Sequence, residues 1–298
     1  MFLAVIFDEL NADPLFYLQP HPSNTMTAFA PQKRQLLKSS GLMACALIAR
    51  EMVSSSAVQA APINRAVPYE VNGRKFEGQL VYDDTVKTKR PVLFMQPDWK
   101  GIDEDTLQTA RLIAGKDYVV LMADMYGVGY GSKQKSVQEL GASMAAIYKD
   151  PAFTVACSAK ALESMLSTVK AQDLADTSKV WAAGYCAGGG FLLEHARTGA
   201  NFKGLVVFHV TNPNPVLAGT ENKFKGRVLV VHGSKDPVTT VDKIDALSQE
   251  LTLSKIDWQV MMFGGAPHSF TDPTNKGYSE QLTRKSYLLM KDFFVEST

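Results

Sequence analysis

Three short segments carry residue types that together could do nucleophilic chemistry. The first is Gly184-Tyr185-Cys186-Ala187-Gly188-Gly189-Gly190. It follows an apolar run and precedes a helical pattern, as a tight strand-to-helix turn presenting a nucleophile would. Glycines two residues to either side of Cys186 would let neighbouring backbone approach closely. A helix N-terminus beneath the sulfur would favour its thiolate. A glycine-rich turn around a buried cysteine, or a phosphate-binding loop, has a similar composition. A nucleotide fold, however, places its glycine loop after the first strand, not in the middle of the sheet. The second segment is Val231-His232-Gly233-Ser234-Lys235-Asp236-Pro237. Its Asp236 could fix and stabilise an imidazole, or could belong to an ordinary Asp-Pro turn. The third is Gly264-Gly265-Ala266-Pro267-His268-Ser269-Phe270. Elimination among the five histidines supports His268 as the base. His21 precedes the folded region, and His195 falls about two turns along the helix that follows the thiol. His209 and His232 end strands, where structural explanations compete.

The elements that must position these residues alternate. Pro68–Val71 and Lys75–Tyr82 flank Asn72-Gly73, a strong hairpin signal. Pro91–Gln96, Tyr118–Ala123, Lys179–Ala183, Gly204–Val210, Arg227–Val231 and Ile256–Phe263 read as further strands. Between and after them, helical patterns cover Glu104–Ala114, Ser136–Tyr148, Ala152–Val169, Gly188–Arg197, Val241–Leu251 and Ser279–Phe294. In the first helix Leu107, Ala110, Leu112 and Ile113 keep rough helical register, and Gly115 stops it. Such alternation predicts an α/β fold: a mostly parallel central sheet with helices on both faces. Chemistry in such sheets sits at the carboxyl ends of the strands, where all three segments fall.

Composition sets the outer limits. The chain has 298 residues, 46% hydrophobic and 20% charged, as globular proteins do. Lysines and arginines number 31 against 30 acids, a formal charge of +1, so no basic excess suits nucleic acid. No apolar run reaches the roughly 18 residues of a membrane span. Three cysteines are too few for a disulfide framework or a four-cysteine zinc site.

The first sixty residues read as an address. A cationic cluster, Gln32 to Lys38, precedes the apolar run Gly41 to Ala49 and a small-residue stretch ending Ala57-Val58-Gln59-Ala60-Ala61. That is the layout of a secretory signal, which predicts a periplasmic or secreted protein. Residues 1–25 and Arg50-Glu51 depart from it, and an amphipathic or disordered extension is the alternative. Cleavage after Ala60 would leave residues 61–298 as one α/β domain.

The order nucleophile, acid, histidine is that of α/β-hydrolases. The sequence from about Tyr69 to Phe294 resembles the dienelactone hydrolase family in particular. Gly184-Tyr185-Cys186-Ala187-Gly188-Gly189 looks like its G-x-C-x-G-G elbow, and Asp124-Met125-Tyr126-Gly127 like its D-x-Y-G turn. His232-Gly233 through Asp236-Pro237 and Pro267-His268-Ser269-Phe270-Thr271 resemble its acid and histidine segments. The ending, with Arg284-Lys285-Ser286-Tyr287, is similar to an exported branch. The resemblance implies the α/β-hydrolase fold, Cys186 as nucleophile, Asp236 as orienting acid and His268 as base. It also implies an oxyanion hole from the backbone N–H groups of Ala187 and Trp99. Where the family often has His-Glu, with the glutamate acting on the thiol, this chain has Pro97-Asp98, so Asp98 takes that place. Four residues after the histidine, where family members hold a substrate carboxylate with arginine, stands Asp272. Neutral esters, lactones or thioesters are the expected small-molecule substrates, with no cofactor and no metal, in a monomer or small homo-oligomer. Tyr126 and Phe270 could wall the pocket or simply pack. A binding protein on a silent hydrolase scaffold is the alternative, and a Cys157–Cys186 disulfide would silence the thiol. Redox chemistry by Cys186 finds no C-x-x-C in support.

Overall fold

Asn72 and Gly73 both adopt positive φ, 50° and 76°, the geometry of a two-residue hairpin turn. They join strands β1 (Ile63–Val71) and β2 (Arg74–Tyr82), which pair in register from Val71 opposite Arg74 to Ile63 opposite Tyr82. This computed structural model describes residues 62–129, 136–214 and 222–297. The segment read as an address lies outside them.

Among the described residues these two strands join six others in one eight-stranded sheet. Its further strands are β3 (Arg90–Gln96), β4 (Val119–Met122), β5 (Ala175–Tyr185), β6 (Gly204–Phe208), β7 (Arg227–Gly233) and β8 (Trp258–Phe263). The order is β1-β2-β4-β3-β5-β6-β7-β8, antiparallel at β1-β2 and β2-β4 and parallel from β4 to β8. The helices are α1 (Glu104–Ala114), α2 (Val137–Tyr148), α3 (Pro151–Ala171), α4 (Ala187–Arg197), α5 (Val241–Leu253) and α6 (Glu280–Glu296). Among the described residues no helix is long and apolar enough to cross a membrane.

Alternation along β3 explains why the sheet needs two layers of helices. Val92 and Phe94 enter one core with Met165 of α3, Leu192 of α4 and Leu247 of α5. Leu93 and Met95 enter the other, with Ile113 of α1 and Phe294 of α6. A strand buried on both faces reads as a continuous apolar run, and β3 does. Helix starts are set by side chains: Asp103 and Thr106 form a capping box at α1, and Ser136 and Glu139 another at α2.

The structure moves several sequence-read boundaries. β5 begins at Ala175 rather than Lys179, because Arg90 and Pro91 pair with Ala175 and Asp176 across a register shift. Its polar start hides that pairing from hydropathy. β6 stops at Phe208, since His209 turns the chain with φ 37°. Leu112 is 64% exposed and outside the core, because α1 turns it away from the face that buries Leu107, Ala110 and Ile113.

Candidate active site

Cys186 stands alone between β5 and α4, with φ 50° and ψ −117°. Such backbone costs a non-glycine residue on the order of 1–3 kcal/mol and persists only where its surroundings hold it. They do: the Cys186 N–H donates to Phe208 O at 3.0 Å, and Cys186 O accepts from Thr211 N–H at 2.9 Å. The flanking glycines are required by space. A Cβ at Gly184 would sit 2.7 Å from Gly189 Cα, and one at Gly188 2.1 Å from Pro97 O. The turn at the end of β3 is therefore packed directly onto the elbow.

The other two segments come from the ends of β7 and β8, beyond β6, and His268 reaches the sulfur. His268 Nε2 is 3.1 Å from Cys186 Sγ, and His268 Nδ1 is 2.7 Å from Asp236 Oδ2. The other carboxylate oxygen, Asp236 Oδ1, accepts from the N–H groups of Val238 and Thr239 at 2.8 and 3.0 Å. Burial opposes charge on both side chains, yet hydrogen bonding outweighs it. Asp236 is held below the usual carboxylate range by His268 and those N–H groups. His268 is raised to about 9 by its bonds to Asp236 and the sulfur and by their charge. The structure thus brings Cys186, His268 and Asp236 into one hydrogen-bonded chain, able to generate a thiolate–imidazolium pair.

A fourth group joins it. Thr211 Oγ1 lies 3.2 Å from Sγ and 3.5 Å from His268 Nε2. Sequence reading missed it, although a usable signal exists. β6 lies beside β5, so its carboxyl-end extension must pass the elbow, and Thr211 is the hydroxyl on that extension.

Ala187 is the first residue of α4, so its N–H has no acceptor within the helix. Trp99 sits in the turn Asp98–Gly101, closed by Gly101 N–H to Asp98 O at 3.0 Å. Its carbonyl accepts from the Tyr126 hydroxyl at 2.5 Å, while its N–H has no acceptor among the described residues. Both donors belong to segments in contact at Gly188. Asp98, in contrast, makes no hydrogen bond to the sulfur among the described residues. Its carboxylate accepts from Lys100 N–H at 2.8 Å and lies 3.7 Å from Lys100 Nζ.

Lys100 is the second residue that sequence reading missed. Its Nζ lies 3.3 Å from Asp272, 3.7 Å from Asp105 and 3.9 Å from Asp103. Asp272 is thus not a bare opposing charge; it is tied to the β3–α1 turn. The pair borders a cavity of about 30 Å³ lined by Asp98, His209, Thr271 and Asp272 among others, with room for water rather than substrate.

Asp98 supplies a stability prediction. Burial raises it to about 6; Lys100 draws it down, and Asp103 and Asp272 push it back up. An unfolded aspartate titrates near about 3.9. Below that pH both states are protonated and the difference vanishes. As pH rises through about 6, the folded chain must ionise a carboxyl that it holds less readily than the unfolded chain does. Asp98→Asn should therefore stabilise the protein at pH 7 by on the order of 1–3 kcal/mol. Thermal melts from pH 4 to 7 check this; a gain that does not fade toward pH 4 would contradict it.

The remaining sequence candidates fall into structural roles. His195 Nδ1 bonds Ser158 Oγ at 2.8 Å, and burial lowers its basicity to about 4. His232 Nε2 meets Thr239 O at 2.8 Å, inside the loop that shapes Asp236. His209 bonds Thr271 Oγ1 at 2.8 Å, and burial, aided by nearby His268, lowers it to about 3. Cys157 and Cys186 are both free thiols. Cys157 is buried against Asp124 O at 3.6 Å, and burial pushes it up to about 12. Phe270 is fully buried and packs on Phe263 and His209. Among the described residues no group of three or more His, Cys, Asp or Glu side chains is arranged to hold a metal ion.

Comparison with known proteins places the fold in a family. Residues 76–298 match the dienelactone hydrolase family. The solved structure m3DLH superposes with a TM-score of 0.71 at 31% identity, over 80% of this chain and 99% of its own. A dienelactone hydrolase-like promiscuous phosphotriesterase, P91, from metagenomic libraries gives 0.69 and 31%, over 79% and 98%. An uncharacterized Caenorhabditis elegans protein, K02A2.1, is 27% identical over 144 residues, 46% of this chain and 91% of that protein. With the family match running from β2 to the end of the chain, and a cysteine at the elbow of a sheet of this order, the chain belongs to the dienelactone hydrolase family and is a carboxylic ester hydrolase of the α/β-hydrolase fold.

Proposed function

We propose that this protein hydrolyses small neutral esters, lactones or thioesters through Cys186, His268 and Asp236, by way of an acyl-enzyme. The observation that carries the reading is the unbroken chain Sγ–Nε2, Nδ1–Oδ2, at 3.1 and 2.7 Å, rooted in a strained elbow. The Cys186 thiolate attacks the acyl carbon, forming a C–S bond while the carbonyl electron pair moves to oxygen. That oxyanion is received by the N–H groups of Ala187 and Trp99. Collapse breaks the C–O bond, or the C–S bond of a thioester substrate, and His268 Nε2 gives its proton to the leaving group. Water then attacks the acyl carbon and passes a proton to His268. The enzyme's own C–S bond breaks, releasing the acid and restoring the thiolate. Asp236 holds the imidazole in place throughout. Asp98 is bonded to Lys100 within its own turn and serves to shape the turn that carries Trp99.

Preference for neutral substrates follows from Lys100. The Lys100 ammonium, which bonds Asp272 on the histidine loop, is committed to that residue and to Asp98, Asp103 and Asp105. With Lys100 so engaged, an anionic lactone should show a lower kcat/KM than a neutral ester of similar size, which paired steady-state kinetics checks.

Intact-mass measurement during turnover of p-nitrophenyl acetate tests the reading. An acetyl adduct should accumulate on Cys186 and be absent from Cys186→Ala. A folded protein with a free Cys186 thiol that gives neither adduct nor product, with this or a neutral lactone, would leave the silent binding scaffold instead.

A further inference from the structure

The Cys186 sulfur has more polar company than an imidazole alone. Three hydroxyls lie near enough to interact with it: Thr211 by direct contact, and Tyr126 and Tyr148 through the sulfur's charge. Where each sends its proton separates them. The Tyr126 hydroxyl donates to Trp99 O at 2.5 Å, and the Tyr148 hydroxyl to Ala187 O at 3.4 Å. Thr211 Oγ1 has no carbonyl; its neighbours among the described residues are Sγ at 3.2 Å and His268 Nε2 at 3.5 Å.

The state of His268 decides between those two. In the ion pair both ring nitrogens carry protons: Nδ1 donates to Asp236 and Nε2 to the sulfur. Nε2 then has no lone pair to accept with, so the Thr211 proton has one acceptor left, Sγ. The backbone keeps the hydroxyl there. Thr211 N–H is bonded to Cys186 O at 2.9 Å, and Cys186 N–H to Phe208 O at 3.0 Å, so the segment is fastened to the elbow on both sides of the sulfur. Thr211 is 8% exposed, which keeps water from replacing it easily.

We propose that Thr211 is a further catalytic residue, whose hydroxyl donates a hydrogen bond to the Cys186 thiolate and makes the thiolate–imidazolium pair the resting form of the site. The step moves no net proton through Thr211; it supplies a second donor to a charge that His268 otherwise holds alone. A donor to the charged form favours that form. The inference deepens the proposed hydrolase reading, but it concerns the state of the thiol, which can be read without any ester.

The test compares wild type, Thr211→Val and Thr211→Ser. Two quantities are measured at neutral pH: the ultraviolet absorbance of the thiolate, against Cys186→Ala as blank, and the rate of alkylation by iodoacetamide. Thr211→Val keeps the side-chain shape and removes the donor. It should lower the ratio of thiolate to thiol drawn from the absorbance by roughly tenfold or more, the size of one charge-assisted hydrogen bond, and slow alkylation with it. Thr211→Ser should restore both to within about threefold of wild type. Should Thr211→Val fail to fold, Thr211→Ala carries the same expectation. A folded Val or Ala variant with wild-type absorbance and alkylation would overturn the proposal and reduce Thr211 to packing. Loss of thiolate in a protein that never cleaves esters would uphold this inference and count against the hydrolase reading, so the two fail separately.

Discussion

Asp236→Asn should lower kcat for a neutral ester by about a thousandfold to ten-thousandfold while leaving the fold intact. The size of the effect follows from where the carboxylate's two oxygens point. Oδ1 accepts from the N–H groups of Val238 and Thr239, and Oδ2 faces His268 Nδ1. An asparagine keeps its oxygen toward the two backbone donors, since its amide nitrogen cannot accept there. The NH2 group is then presented to His268 Nδ1, which must become the acceptor. That moves the proton of neutral imidazole to Nε2, where it faces Sγ and can no longer receive the thiol's proton. The protonated imidazole also loses its partner, so His268 titrates below its value of about 9. Steady-state kinetics gives the loss, the imidazole NMR titration gives its cause, and unchanged circular dichroism excludes unfolding. A loss of less than tenfold would contradict the proposed role of Asp236.

Much of this site is legible from residue types and order. Cys186, Asp236 and His268 each follow a strand, and the parallel sheet brings strand ends together whatever the loops between them do. Glycine spacing around Cys186 reports backbone proximity, and the Cβ distances at Gly184 and Gly188 are that proximity measured. What stays hidden is contact between segments far apart in the chain. Lys100 meets Asp272 across 172 residues, and nothing local to either marks the pairing. Without it Asp272 reads as an exposed repelling charge; with it, as a tie between the oxyanion turn and the histidine loop. Thr211 is hidden differently. His209, two residues earlier, draws attention by its type, yet burial keeps it neutral and bonded to Thr271, while the plainer hydroxyl reaches the sulfur. Strand limits fail for a related reason: the start of β5 is decided by pairing with Arg90 and Pro91, not by its own polar sequence.

The same accounting distinguishes residues that make the site reactive from those that make it possible. Asp236, His268 and Thr211 act through protons and charge, so conservative variants should change rates more than stability. Gly188 acts through space alone, and its substitution should do both. A Cβ there would lie 2.1 Å from Pro97 O and 2.4 Å from Gln96 O, well inside van der Waals contact. Both atoms are main chain, so no rotamer change relieves the clash. Gln96 ends the central strand β3, which leaves the Pro97–Gly101 turn or the elbow itself to move. Either motion separates the Trp99 N–H from that of Ala187, the two donors proposed to face one oxyanion. Gly188→Ala should therefore cost about 3 kcal/mol or more of stability. A displacement near 1 Å also lowers kcat at least about a hundredfold in the fraction that remains folded. Gly141→Ala is the matching control: it lies inside α2 with open space around it and should be no less stable than wild type. Denaturant melts and active-site-titrated kinetics on both variants decide the matter. A Gly188→Ala enzyme with normal turnover would mean that the two donors need not be held by this contact, and that the oxyanion is stabilised elsewhere.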